Sequence, residues 1–261
     1  MLDRSTLEPR IANPPLTEPK VPINRPVAPA GTSGPPETVA LTFAPGGPPA
    51  VTLVAFDFDG TLSDDEMIVL LGEEAGCADE IAEITERAMA GELSYAESLR
   101  ERAALLAGLD GSAAERAYSG VHLRPGAGDL LRSLADAGVT TVILTGGFEA
   151  GVEAALERAG ASVDRVVANS LVVEDGRLTG EVDGPLVEGT KDEALSDVAA
   201  AFDVDLGDAI AVGDGANDVP MLDAAGTAIG FRPKPAVRPH CAVVVATMGR
   251  LRRVLAETGV L

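Results

Sequence analysis

Apolar positions along the chain follow two rhythms. Val51–Phe56, Val139–Leu144 and Ala209–Val212 are short, nearly unbroken apolar runs rich in β-formers. Runs of this kind, bounded by Gly or Asp, predict strands buried on both faces of a parallel sheet. Elsewhere the apolar residues recur at three- and four-residue steps, predicting helices over Ala127–Ala137, Asp192–Phe202, Val219–Ala225 and Met248–Thr258. Val163–Ala168 adds a strand, and Ala228–Gly230 and Cys241–Val245 read as short closing strands. Leu171–Val173 and Arg177–Thr179 flank Glu174-Asp175-Gly176, whose Asp-Gly suits a tight hairpin. Together these elements predict an α/β fold: a Rossmann-like, three-layer, doubly wound parallel sheet with one β-hairpin.

One stretch breaks the alternation. After Thr61, about sixty residues keep a helical rhythm: Met67, Leu70 and Leu71; Ile81, Ile84 and Ala88; Leu99, Ala103 and Leu106. Gly76, Gly91 and the pair Gly108/Gly111 mark breaks between helices. A parallel crossover needs one helix only, so the block reads as an insertion after the first strand. Arg124-Pro125-Gly126 marks the return to the main domain.

Composition separates the first fifty residues from the rest. They hold 12 of the 18 prolines, lack periodicity and balance four acidic against four basic residues. Such a segment cannot bury enough apolar surface to offset chain entropy, and a disordered, Pro-rich extension is expected over 1–50. A proline-motif ligand and a start codon placed too far upstream are the alternatives. The net charge of -21 therefore falls on residues 51–261, which argues against nucleic acid or an anionic membrane as partner. Lysine is scarce, only Lys20, Lys191 and Lys234, and acid-rich, Lys-poor chains suggest a salt-rich cytoplasm. Cys77 and Cys241 show no metal-ligand spacing, as in a reducing compartment. With no signal-like start and no apolar run near the roughly 20 residues of a membrane span, a cytoplasmic location is expected.

The buried strands end in chemistry. The first stops at Asp57-Phe58-Asp59-Gly60-Thr61, where an apolar element would not place charge without purpose. Alternation along the strand directs Asp57 and Asp59 to one side, away from Phe56 and Phe58. Two carboxylates there suit a hard cation and a reacting phosphate, although a bare D-x-D equally suits a solvated strand end. The second strand ends in Thr145-Gly146-Gly147-Phe148, where a hydroxyl and glycine amides opening a helix form an anion cradle. Gly184–Lys191 is not a P-loop, since Thr190 precedes Lys191 and no buried strand leads into it. Gly213-Asp214-Gly215-Ala216-Asn217-Asp218 is not a dinucleotide loop, since its carboxylates would repel pyrophosphate.

In order of occurrence, Asp57–Thr61, Thr145-Gly146-Gly147, Lys191 and Gly213–Asp218 resemble the four signatures of the haloacid dehalogenase superfamily. Gly146-Gly147-Phe148, with Glu66 nine residues and Arg102 forty-five residues after Asp57, is similar to the phosphoserine phosphatase family in particular. The resemblance covers residues 51–261. It implies a core domain of 51–65 and 125–261 and a small helical cap over 66–124.

The resemblance also implies roles. Asp57 would be the nucleophile of an aspartyl-phosphate mechanism, and Asp59 the acid and then the base. Thr145, the Gly146 amide and Lys191 would hold the phosphoryl oxygens, with Asn217 beside the substrate. Mg²⁺ would be held by Asp57, the Asp59 carbonyl and Asp214, with Asp218 ligating directly or through water. Glu66 would take the ammonium and Arg102 the carboxylate of O-phospho-L-serine, and Met89 and Tyr95 would line the apolar side. The expected reaction releases L-serine and phosphate, the last step of serine biosynthesis. Another small phosphomonoester, transfer to an acceptor alcohol, and a non-catalytic phosphoamino-acid sensor are the alternatives. Gly60 and Thr145 depart from the Ser that phosphoserine phosphatases more often carry. His122 and His240 stand outside every motif.

Overall fold

The computed structural model describes residues 52–261; the expected extension over 1–50 lies outside the described residues. Among the described residues, β1 (Leu53–Phe56) sits in the middle of a seven-stranded sheet. The other strands are β2 (Thr140–Phe148), β3 (Arg165–Glu174), β4 (Arg177–Asp183), β5 (Ala209–Gly213), β6 (Thr227–Phe231) and β7 (Val243–Val245). They lie in the order β4-β3-β2-β1-β5-β6-β7, every neighbouring pair parallel except β3 with β4. The alternation of β1 builds the layers. Val54 and Phe56 pack with Leu130 and Leu134 of α5 (Ala127–Asp136), Val152 of α6 (Glu149–Ala159) and Leu251 of α9 (Met248–Glu257). Leu53 and Ala55 pack with Leu195 of α7 (Lys191–Ala201) and Leu222 of α8 (Val219–Ala224). Each such buried Leu or Phe contributes about 1.5–3 kcal/mol, against about 0–1 kcal/mol for an exposed ion pair. Strand pattern, and not the heavy surface charge, fixes the three layers.

The structure departs from the sequence pattern at two strands. β2 does not end at Leu144; it stays extended through Thr145-Gly146-Gly147-Phe148, its register with β3 breaking between Leu144 and Phe148. Asn169 of β3 holds the break by donating from Nδ2 to Gly146 O at 3.0 Å. β3 is one strand where a short strand and a separate hairpin arm were expected. Its first half runs parallel to β2 and its second half antiparallel to β4. The hairpin turn itself is as expected, with Asp175 and Gly176 both at positive φ between the pairs Glu174–Arg177 and Val173–Leu178.

Between β1 and α5 stand four helices: α1 (Met67–Ala75), α2 (Ala78–Met89), α3 (Tyr95–Ala104) and α4 (Gly111–Ser119). Gly111 opens α4 behind its cap Asp110, where the sequence suggested only a break. The two strands of chain joining this block to the core run side by side. Arg124 N donates to Leu62 O at 2.8 Å, Ser63 Oγ to His122 O at 2.8 Å, and His122 N to Asp65 Oδ2 at 2.9 Å. The block also docks on the hairpin: Gly108 N donates to Leu178 O at 2.8 Å, Leu178 N to Leu109 O at 2.9 Å, and Gly111 N to Gly176 O at 2.8 Å. No helix among the described residues is long and apolar enough to cross a membrane.

Candidate active site

The carboxyl ends of β1, β2 and β5 open on one cavity of about 770 Å³, roofed by the inserted helices. Asp57, Asp59, Glu66, Arg102, Thr145, Gly146, Asp214 and Asn217 all line it. Lys191 and Asp218 lie directly beneath: Lys191 Nζ donates to Asp57 Oδ1 and to Asp218 Oδ1, each at 2.6 Å. All the residues singled out from the sequence are thus brought together. Met89 and Tyr95 line the cavity as well. Tyr95 differs from expectation in what it presents, since its hydroxyl, and not only its ring, reaches the site.

Local sequence explains the placement. Asp57 N continues the β1–β5 ladder by donating to Val212 O at 2.9 Å, and the chain then turns at once, with Thr61 N and Ser63 N both bonded to Phe58 O. Gly60 takes φ +85°, and a Cβ there would stand 2.6 Å from Asp214 Oδ1, so glycine lets the turn and the β5 carboxylate approach each other. Thr145 Oγ1 accepts from Gly147 N at 3.0 Å, holding the extended segment after Leu144 in place. Thr190 and Glu193 form the capping box that starts α7 at Lys191.

Carboxylates outnumber cations here, and burial sharpens the imbalance. Asp57 is pushed up to about 8 by burial and then by the charge of Asp218, with Lys191 opposing. Asp59 is raised well above the usual carboxylate range by burial, then by Glu66 and Asp57; its buried Oδ1 has no hydrogen-bond partner. Burial alone would lower the Lys191 ammonium, but the charges and hydrogen bonds of Asp218 and Asp57 more than offset this and raise it above its usual value. Asp214 is raised by burial and by Asp218. One oxygen from each of Asp57, Asp214 and Asp218 lies within 4.8 Å of the others, a set of hard donors suited to a small divalent cation. Asp218 is the least available of the three. Besides Lys191, it accepts from Asp214 N and Gly215 N, each at 2.8 Å.

Four residues in the site carry no motif. Arg124, whose side chain is 9% exposed, donates from Nε to Thr61 O at 2.9 Å and from Nη2 to Gly60 O at 2.8 Å, pairs with Asp64, and stacks 5.2 Å over Phe231. Asn169, besides holding Gly146 O, accepts from Leu186 N at 2.9 Å, joining β2 to the approach to Lys191. Lys234 lines the cavity, its main-chain N bonded to Asp214 O at 2.9 Å and its Nζ 3.7 Å from Asp214 Oδ2. Ser98, one turn before Arg102 on α3, is buried with an unpaired hydroxyl. Of these, Lys234 carried a signal in the scarcity of lysine and Arg124 marked a boundary, while Asn169 and Ser98 carried none.

A family model for haloacid dehalogenase-like hydrolases matches residues 54–223. The phosphoserine phosphatase of Halobacterium salinarum is 61% identical over 210 residues, covering 80% of this chain and 100% of its own length. That of Methanocaldococcus jannaschii is 37% identical over 194 residues, covering 74% and 91%. Among solved structures, a phospho-aspartyl intermediate analogue of phosphoserine phosphatase superposes with a TM-score of 0.72 at 36% identity, covering 79% of this chain and 98% of that one. A substrate-bound phosphoserine phosphatase complex superposes with a TM-score of 0.71 at 35% identity, covering 78% and 96%.

Proposed function

Because this chain belongs to the haloacid dehalogenase-like hydrolase family, we propose that it acts as a phosphoserine phosphatase, with the roles of its site residues as follows. Asp57 attacks phosphorus in line, the ester P–O bond breaks, and an aspartyl-phosphate forms on its carboxylate. Asp59 gives its proton to the departing seryl oxygen and then takes one from the water that cleaves the intermediate. Its raised pKa supports the first half of that exchange, because a carboxyl must be protonated to donate. Thr145, the Gly146 amide and Lys191 take the charge on the phosphoryl oxygens. Glu66 accepts from the substrate ammonium and Arg102 forks onto its carboxylate.

The donor set fits Mg²⁺: Asp57, Asp214 and the Asp59 carbonyl would hold it, in a pocket where one buried lysine faces several carboxylates. Bound there, the ion would neutralise phosphoryl charge and favour the ionised form of Asp57. Asp218 serves as a positioning residue, aligning Lys191 and the β5 loop, since its oxygens are taken up by hydrogen bonds.

The observation that carries the reading is the unpaired, buried Oδ1 of Asp59 in a cavity shared with Asp57, Glu66 and Arg102. The test is phosphate release from a panel of phosphorylated metabolites, with and without Mg²⁺. Strong preference for O-phospho-L-serine, lost without the metal, is expected; a flat profile would remove the specific claim.

A further inference from the structure

Tyr95 is the first residue of α3, and the chain fixes it there with a capping box. Ser94 Oγ accepts from Glu97 N at 3.2 Å, and Glu97 Oε2 accepts from Ser94 N at 2.8 Å. From that position the phenol crosses the cavity to β2. A Cβ built on Gly146 would collide with Tyr95 Oη, so the hydroxyl rests against the backbone where Gly146 leaves room for it. The hydroxyl has no hydrogen-bond partner among the described residues. The residue is 40% exposed and lines the open cavity, so its hydroxyl is free to bond an incoming group. Lys191 and Arg102 are the cations near this phenol, Asp57 and Asp59 the anions. The protein atoms packed around the hydroxyl push its pKa up to about 12, so it remains a donor at every working pH although part of the ring faces the open cavity.

We propose that Tyr95 donates a hydrogen bond to a phosphoryl oxygen of the bound substrate, so that the inserted helical block completes an anion cradle otherwise built by the core. The proposal rests on the phosphatase reading above. It makes Tyr95 a phosphate-binding residue, whereas Glu66 and Arg102 address the amino-acid end.

Tyr95→Phe removes one oxygen and keeps the ring, so it tests the bond with little risk to the fold. The full chain with Mg²⁺ is titrated with inorganic phosphate by calorimetry. Turnover is measured with O-phospho-L-serine and with p-nitrophenyl phosphate, which lacks an amino-acid end. Phosphate affinity should fall by about 10- to 100-fold, the range for a hydrogen bond to a charged group. Specificity constants should fall by a similar factor on both esters, and phosphate should raise Tm less in the variant than in the parent. Unchanged phosphate affinity overturns the proposal, and so does a loss confined to phosphoserine. If the parent prefers another ester, the phosphoserine reading fails while the phosphate titration still decides the role of Tyr95.

Discussion

Lys191 Nζ and Asp57 Oδ1 are 2.6 Å apart across 134 positions of sequence, with side chains 4% and 5% exposed. A lysine is buried this deeply only when its donors find acceptors, and Asp218 is the second acceptor beside Asp57. Among the described residues the lysine is the one buried cation bonded to Asp57, and it is held by a helix start rather than by a flexible loop. Replacing it with methionine should lower kcat by about 100- to 1000-fold, the cost of removing one preorganised donor. Stopped-time phosphate release with Mg²⁺ measures this; a loss below tenfold would show that Lys191 only supports the fold.

The raised Asp57 carboxyl sets a stability signature of the metal-free protein. Its folded value of about 8 lies above the ordinary 3.8, so its contribution to folding is complete below the lower value and lost as pH rises through the higher. Asp57→Asn removes this titration. In chelator, the Tm of the variant minus that of the parent should grow from pH 5 to pH 8.5. A difference independent of pH would contradict a raised, buried carboxyl at Asp57.

Metal binding should report the same group from the other side. At pH 7 the metal-free Asp57 holds its proton, and a cation ligated there displaces it. Mg²⁺ titrations in buffers of different ionisation enthalpy should show release of about one proton per ion. Heats that do not vary with the buffer would mean that the ion binds without Asp57.

Arg124 holds the carbonyls of Gly60 and Thr61 and so fixes the turn that brings Asp59 beside Asp57. Arg124→Met should weaken Mg²⁺ binding by about 10- to 100-fold, as loss of an outer partner of a metal site does. Arg124→Lys should restore little, since one ammonium cannot span both carbonyls as a guanidinium does. Equal metal affinity in parent and Arg124→Met would make it a purely structural residue of the linker.

Arg102→Lys separates the two ends of the substrate. KM for phosphoserine should rise about tenfold or more with loss of the forked contact, while the affinity for inorganic phosphate stays as in the parent. A parallel loss of phosphate affinity would place Arg102 on the phosphoryl group instead.

Much of this site was legible because its chemistry sits at strand ends. An apolar run that stops at Asp57 and Asp59 needs a reason for its charges, and Lys191 stands out in a chain with so few lysines. Lys234 carried that same scarcity, but it follows β6 in a loop with no motif, and only the folded chain puts it beside Asp214. Arg124 marked a boundary in the sequence; its grip on Gly60 and Thr61 depends on two linkers lying side by side, which no local pattern encodes. The extended course of Thr145–Phe148 was hidden for a similar reason. Paired glycines signal a turn, and here Asn169 of the neighbouring strand keeps them straight. Tyr95 counted as an apolar wall because ring and hydroxyl share one letter of sequence.

The docking of the helical block on the hairpin has a cost for any opening of the site. Leu178 exchanges two main-chain hydrogen bonds with Gly108 and Leu109, so the outer rim of β4 is occupied by the protein's own insertion. A swing of the block large enough to admit solvent there would strip that rim and leave unpaired amides and carbonyls facing outward, the kind of surface on which chains stick to one another. Access by a small movement near Met89 and Tyr95, with the hairpin clasp kept shut, avoids that hazard. Resistance to self-association would then be one more reason for the active site to breathe narrowly.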